Sequence, residues 1–333
     1  MLAAAAALCL AAVTLTLLRW FLLVRAIGIP IRLRDTLRLG FLGYLFNLAP
    51  MGIVGGDLLK AILLGREQHG HKTEALTSVF VDRMLGLWVL FLLASVASVF
   101  SGFYETQFRW VCEVVWGVTV AFTAAVAAPL LPDLSHGRST VMLGRIPYIG
   151  RFIRRIAESI QVYRHRLPTL AAASLLTFVI HALFASCVFL IAAALYQPFH
   201  SLAYHLVMVP ICSATGVIPI SMGPFEGVLD AFYAGIPLPD GGSMKAGQGL
   251  VVALGYRIAT VIVAAVGLCY YLGARREVAE AMEEENPQAK TPTTLETPDS
   301  PRPLAGEGPA ARDRGALTGA PPSKRLNGLT IVP

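Results

Sequence analysis

Two apolar stretches in this sequence cannot fold as continuous helices. The first, Phe46-Asn47-Leu48-Ala49-Pro50-Met51-Gly52-Ile53-Val54-Gly55-Gly56-Asp57, is broken by Pro50, Gly55 and Gly56. The second, Pro219-Ile220-Ser221-Met222-Gly223-Pro224-Phe225-Glu226, is broken by Pro219, Gly223 and Pro224. Proline lacks a backbone donor and glycine weakens a helix locally. In each stretch a carboxylate, Asp57 or Glu226, stands at or beside the break. Composition fixes the solvent in which these breaks must be accommodated. Of 333 residues, 55% are hydrophobic and only 14% charged, against about 25% charged in a soluble domain. With a mean hydropathy of +0.63, the chain reads as an all-α polytopic membrane protein. Unwound backbone at membrane depth is tolerated only against protein or a wet cavity. Paired, Gly/Pro-interrupted segments in the two halves of a membrane protein point to a substrate site.

Roughly 20 apolar residues span a bilayer as helix. That ruler predicts full spans over residues 2–24, 75–100, 111–131, 169–195 and 247–272, with broken segments over 39–64 and 202–236. The first run lacks the basic start and small-residue cleavage site of a signal peptide, carrying Arg19-Trp20 instead. Basic residues follow the first span (Arg25, Arg32, Arg34, Arg38), the first broken segment (Lys60, Arg66, Lys72) and the last span (Arg275, Arg276). They also fill the long central loop (Arg138, Arg145, Arg151, Arg154, Arg155, Arg164, Arg166), whereas connections 101–110, 197–201 and 237–246 hold only Arg109 and Lys245. All four basic regions lie on the cytoplasmic side together if both broken segments are re-entrant hairpins, the first entering from the cytoplasm and the second from outside. The other reading makes them ordinary kinked spans with a weaker charge bias.

Between Ile149 and Leu167, apolar residues recur at helical spacing opposite a face of arginines. Such a basic amphipathic helix, over 145–167, either lies on the anionic cytoplasmic leaflet or packs on the protein's own underside. From about Glu284 the periodicity gives way to Pro, Thr, Ala, Gly and mixed charges. Residues 276–333 read as a cytoplasmic tail, disordered from Asn286 onward. The five cysteines all lie in apolar segments without C-x-x-C spacing and read as core filling. The net charge of +6 sits in loops and speaks of membrane orientation, not nucleic acid. No metal or cofactor is implied: His69-x-His71 lacks further close ligands, and Gly241-Gly242-Ser243 has no P-loop context.

Charges inside apolar spans are functional candidates by default. Asp57 flanks the first break. Asp82 and Arg83 lie about two turns into their span. Adjacent helical residues point apart, so each needs its own partner; Lys60 suits Asp82 and Asp57 suits Arg83. Glu226 and Asp230, four apart, share one face, and Arg257, about ten residues into the last span, suits Glu226. Arg19, near a span end, reads as snorkelling to the interface. These groups either line a polar groove between the hairpins, with arginines on a lipid phosphate and carboxylates balancing them or receiving an amine, or form ion pairs that lock helix packing.

These residues carry a resemblance. Phe46-Asn47-Leu48-x-Pro50, Gly55-Gly56-Asp57-x-x-Lys60-Ala61 and Asp82-Arg83-x-x-Gly86-Leu87 resemble the signature of the lysylphosphatidylglycerol synthase transmembrane-domain family, which includes the flippase half of the multiple peptide resistance factor. Ile218-Pro219-x-Ser221-x-Gly223-x-x-Glu226 is similar to its second signature, with Met222-Gly223-Pro224-Phe225 in place of a glycine-rich run. Arg19-Trp20 also fits, and the resemblance covers about residues 1–275. It implies a flippase-like domain over 1–275, with Asn47, Asp57, Lys60, Asp82, Arg83, Glu226 and Arg257 as the substrate-binding set. It also implies that members commonly carry one more helix ahead of the Arg-Trp span. The synthase domain of the full-length resistance factor is not in this sequence, so lipid translocation without aminoacyl-lipid synthesis is expected.

The first functional expectation is therefore a non-enzymatic, flippase-like protein of a bacterial cytoplasmic membrane, moving a phospholipid or polyprenyl-linked headgroup down a gradient or with ion coupling. Its partners would be membrane lipids, a second copy of itself or an envelope-biogenesis protein. A membrane-embedded enzyme would instead need Asp57, Asp82 and Glu226 to converge as acid/base groups or metal ligands. A non-catalytic partner of a separate synthase would use the basic helix and tail for docking.

Overall fold

The computed structural model of the chain describes residues 1–48, 52–68, 71–127, 163, 166–218, 220, 222–238 and 241–285. Pro50 and Pro219, almost all of the expected amphipathic helix at 145–167, and the tail from 286 lie outside the described residues.

The fold is all-helical. Five long apolar helices match the five expected spans: α1 (Leu2–Ala26), α4 (Lys72–Phe100), α5 (Arg109–Ala127), α6 (Leu167–Leu195) and α9 (Gln248–Glu285). The chain is an integral, multi-pass membrane protein. Each broken segment is a pair of short helices. The first is α2 (Leu33–Asn47) and α3 (Gly52–Glu67); the second is α7 (Leu202–Ala214), extended by a 3-10 turn, and α8 (Pro224–Gly235). At 1.5 Å per residue these arms run roughly 18–24 Å, short of a hydrocarbon core of about 30 Å.

The arms of the first hairpin cross closely because of two glycines. A Cβ on Gly56 would stand 1.9 Å from the Gly43 carbonyl oxygen, and one on Gly43 would stand 2.7 Å from the Gly56 carbonyl oxygen. The sequence puts Gly55 and Gly56 at the break, but both lie inside α3, as the fourth and fifth residues of a helix that starts at Gly52. Their smallness serves helix contact, and the interruption falls ahead of them. At the second break the expectation and the structure agree in place: Gly223 caps α8 at φ +110°, a left-handed value, and Pro224 occupies the first turn, where its missing N–H costs nothing.

The helices form two sets with matching packing. In one set α1, α2–α3 and α4 follow in order; in the other α6, α7–α8 and α9 do. The arm α2 packs on α9 as α7 packs on α4, and α3 packs on α4 as α8 packs on α9. Contacts of α1 with α2 and α4 are mirrored by those of α6 with α7 and α9, and α1 packs along α6. The helix α5 stands outside this pairing, against α4. The helix α9 also continues to Glu285, ten residues past the expected end of the membrane domain.

Gly56→Ala is expected to destabilise the fold by about 1–3 kcal/mol or more, because the clash is with backbone that cannot rotate away. Gly227→Ala, in α8 with nothing within 4 Å of its Cβ position, is expected to be neutral or slightly stabilising. Thermal unfolding of both variants in detergent checks the contrast.

Candidate functional site

Five charged side chains from three helices, α1, α3 and α4, meet beside the first helix pair. Arg19, on α1, donates from Nε to Asp82 Oδ1 on α4 at 2.8 Å and from Nη1 to Thr177 Oγ1 on α6 at 3.1 Å. Lys60 Nζ, on α3, lies 3.2 Å from Asp57 Oδ1 and 4.0 Å from Asp82 Oδ2. It also sits 4.7 Å from the centre of the Trp20 ring, whose Nε1–H donates to Ser78 Oγ at 3.2 Å. Arg83 Nε donates to Asp57 Oδ2. Asp82, Arg19 and Lys60 are buried, whereas the Arg83 side chain is 42% exposed.

The local sequence explains this arrangement. Asp82 and Gly86 are four apart and share a helix face. Asp82 takes the Arg19 guanidinium, and at Gly86 a Cβ would stand 3.4 Å from Arg19 Nη1; the bare glycine leaves room for the guanidinium to lie along α4. Arg83, one residue on, points elsewhere and meets Asp57. The spacing of Asp57 and Lys60 on α3 brings both onto one face, so Lys60 joins the two carboxylates. Arg19 therefore belongs to the cluster and is not a snorkelling side chain; it is 5% exposed. Asp82 also departs from expectation, since its close partner is Arg19 and Lys60 stands at the margin of contact. A guanidinium presents its N–H donors in one plane, so Arg19 serves Asp82 through Nε and Thr177 through Nη1 at once.

A second pair stands in the other set of helices. Arg257, on α9, donates from Nη2 and Nε to Glu226 Oε1 on α8 at 2.6 and 3.2 Å. The second oxygen, Oε2, accepts from the backbone N–H of Gly223 at 2.8 Å and so closes the start of α8. The two pairs are counterparts. In each, the carboxylate lies in the first two turns of the second helix of a broken pair, and the arginine lies about three turns into the long helix that follows. Asp230, one turn beyond Glu226, accepts from the backbone N–H groups of Gly247 and Leu250 and caps α9; its part is structural.

Between the pairs lies a cavity of about 280 Å³, walled by Arg19, Lys60, Asp57, Arg83 and Arg257. One face of α2 completes it through Gly40, Gly43, Tyr44 and Asn47, at positions i, i+3, i+4 and i+7. Asn47 also borders a second cavity of about 200 Å³ beside Glu226, and its side-chain oxygen is buried with no partner among the described residues. Tyr256 stands between them, packed by Phe184 and Phe225. Sequence reasoning missed Tyr44 and Tyr256, although the small-and-polar stripe along α2 was a readable signal.

The charged cavity shares a wall with a mostly apolar groove of about 570 Å³. Thr16, Arg19, Asp57, Asp82, Arg83 and Phe184 border both spaces. Leu58, Leu76, Phe80, Leu87 and Ile180 continue the groove. His181 lines it too, donating from Nε2 to the Gly86 carbonyl at 3.1 Å, which fits a structural histidine. The seven expected site residues thus fall into the five-charge cluster (Asp57, Lys60, Asp82, Arg83), the second pair (Glu226, Arg257) and the wall between them (Asn47).

Arg19→Ala is expected to cost about 3–5 kcal/mol, because it leaves Asp82 as a buried charge without its close partner. The double substitution Arg19→Met/Asp82→Leu is expected to recover much of that loss. A double-mutant cycle of thermal stability in detergent would read the difference.

No curated protein and no solved structure matches the chain. A family model, described as the lysylphosphatidylglycerol synthase TM region, matches residues 1–267 and so takes in every helix named above except the end of α9. On that match, and with the signature residues gathered around one cavity, the chain belongs to the lysylphosphatidylglycerol synthase transmembrane-region family.

Proposed function

We propose that this protein moves the headgroup of a phospholipid or polyprenyl-linked lipid between the leaflets of a bacterial cytoplasmic membrane. The observation that carries the reading is the shared wall between a charged cavity and an apolar groove. A lipid has the same division: a polar head that needs ions and donors, and tails that need none. The cavity would take the head while the groove keeps the tails in an apolar setting.

The matching helix sets support a way of moving it. In this reading the two helix pairs are re-entrant, α2–α3 entering from the cytoplasm and α7–α8 from outside. That arrangement agrees with basic residues gathering on one side of the membrane. Two inverted repeats around a central site can alternate access by rocking or by gating at one hairpin and then the other. The Asp57–Arg83 and Glu226–Arg257 pairs join each broken pair to the following span and would act as the two latches. The carboxylates then serve as counter-ions, each already engaged by a cation, and the protein works as a carrier rather than an enzyme.

Reconstitution into liposomes with fluorescent lipids tests this. Wild-type protein is expected to speed loss of the outer-leaflet signal at least about tenfold over protein-free vesicles, and Asp57→Ala and Glu226→Ala to fall back toward the protein-free rate. No acceleration for any headgroup of a native lipid extract, with wild type equal to both variants, would overturn it.

A further inference from the structure

The charges around the cavity do not balance. Arg19, Lys60 and Arg83 supply three positive charges, and Asp57 and Asp82 supply two negative ones, so the cluster carries a surplus of one. The Glu226–Arg257 pair adds nothing to the sum. Among the described residues no further carboxylate borders the cavity. In a low-dielectric setting an uncompensated ion costs several kcal/mol even after relaxation. An anion received here would cancel the surplus.

The surplus has an address. A guanidinium has five N–H donors. Arg83 uses only Nε, on Asp57; its two terminal NH₂ groups have no partner among the described residues. Its side chain is also the open one of the cluster and borders both the polar cavity and the apolar groove. The ligand group at this point must therefore be anionic, must accept from a planar fork of donors, and must be attached to something apolar. A phosphodiester between a small headgroup and acyl chains has all three properties: two non-bridging oxygens match the fork, and one negative charge cancels the surplus.

We infer that the cavity selects lipids of net charge −1: a glycerophospholipid with one phosphodiester and an uncharged hydroxylated headgroup. A zwitterionic lipid would leave the surplus standing. An aminoacylated phospholipid, net positive, would double it. A polyprenyl diphosphate would overshoot it. The inference rests on the reading of the cavity as a lipid headgroup site, but it concerns binding and does not require translocation.

The test is equilibrium binding to purified full-length protein in a neutral detergent. The probes are short-chain phosphatidylglycerol, phosphatidylethanolamine, lysyl-phosphatidylglycerol, a polyprenyl diphosphate, sn-glycerol 1-phosphate and inorganic phosphate. Short-chain phosphatidylglycerol is expected to bind at least about tenfold tighter than each of the other lipids. Arg83→Gln is expected to remove that preference. Lys60→Met, which brings the cluster to zero, is expected to make phosphatidylethanolamine the equal of phosphatidylglycerol. Arg109→Gln, at an exposed site outside the cavity with its side chain 63% open, is expected to leave the preference unchanged, which separates the cavity from general surface attraction. If Lys60→Met fails to fold, Arg83→Gln decides alone, since its side chain is partly open already. Equal binding of zwitterionic or aminoacylated lipid by wild type, or a preference untouched by Arg83→Gln, overturns the inference. Inorganic phosphate or glycerol phosphate competing as well as the lipid would mean a soluble phosphate ligand and overturn the lipid assignment. Selective binding without lipid movement in liposomes would leave this inference standing and overturn translocation.

Discussion

A charge held in an apolar medium needs a counter-charge within reach, and the Arg19–Asp82 pair meets that need where α1, α4 and α6 come together. The remaining site contacts extend from it. Arg19 also reaches Thr177, so three spans are tied at one guanidinium. Asp82 turns its other oxygen toward Lys60, Lys60 holds Asp57, and Asp57 holds Arg83. Trp20, next to Arg19 in sequence, supports Lys60 with its ring and fixes itself on Ser78. The first hairpin is thereby anchored to the spans through ions rather than through apolar packing alone. That is an expensive design for stability, since it buries charged groups where apolar side chains would pack at lower cost.

Much of this was legible. The five spans follow from length and hydropathy, because roughly 20 apolar residues have few other uses. The two breaks follow from proline and glycine. The pairings Asp57–Arg83 and Glu226–Arg257 follow from the divergence of neighbouring helical side chains and the depth of each charge. Arg19 was the instructive miss. Its distance from the span end suggested an escape to the interface, but distance along a helix says nothing of which face meets protein. The glycines at 55 and 56 misled for a related reason: glycine marks either an interruption or a close crossing, and only the partner helix tells which. The continuation of α9 to Glu285 was hidden because hydropathy ends at the membrane. The segment Ala274–Glu285 is rich in Ala, Glu, Arg and Met, which favour helix in water as well.

The correspondence between the two helix sets was less visible, since the sequence shows no repeat of residues. It lies in order and packing: a span, a broken pair, a span, with each first arm leaning on the other set's last helix. Physical roles are repeated where residues are not. Asp stands in one set where Glu stands in the other, and each meets an arginine about three turns into the next span.

The two pairs also share a feature that bears on which partner can change. Asp57 keeps Lys60 at 3.2 Å if Arg83 turns away. Glu226 keeps the Gly223 N–H, with the positive end of the α8 dipole behind it, if Arg257 turns away. Neither carboxylate would be left as an orphan buried charge, which is the costly outcome. The arginines are thus the members that can exchange one oxygen partner for another at modest cost. Their partners stay fixed by a second contact built into the same hairpin. A site whose carboxylates are held and whose guanidiniums can turn is suited to receive an anion without losing its own framework.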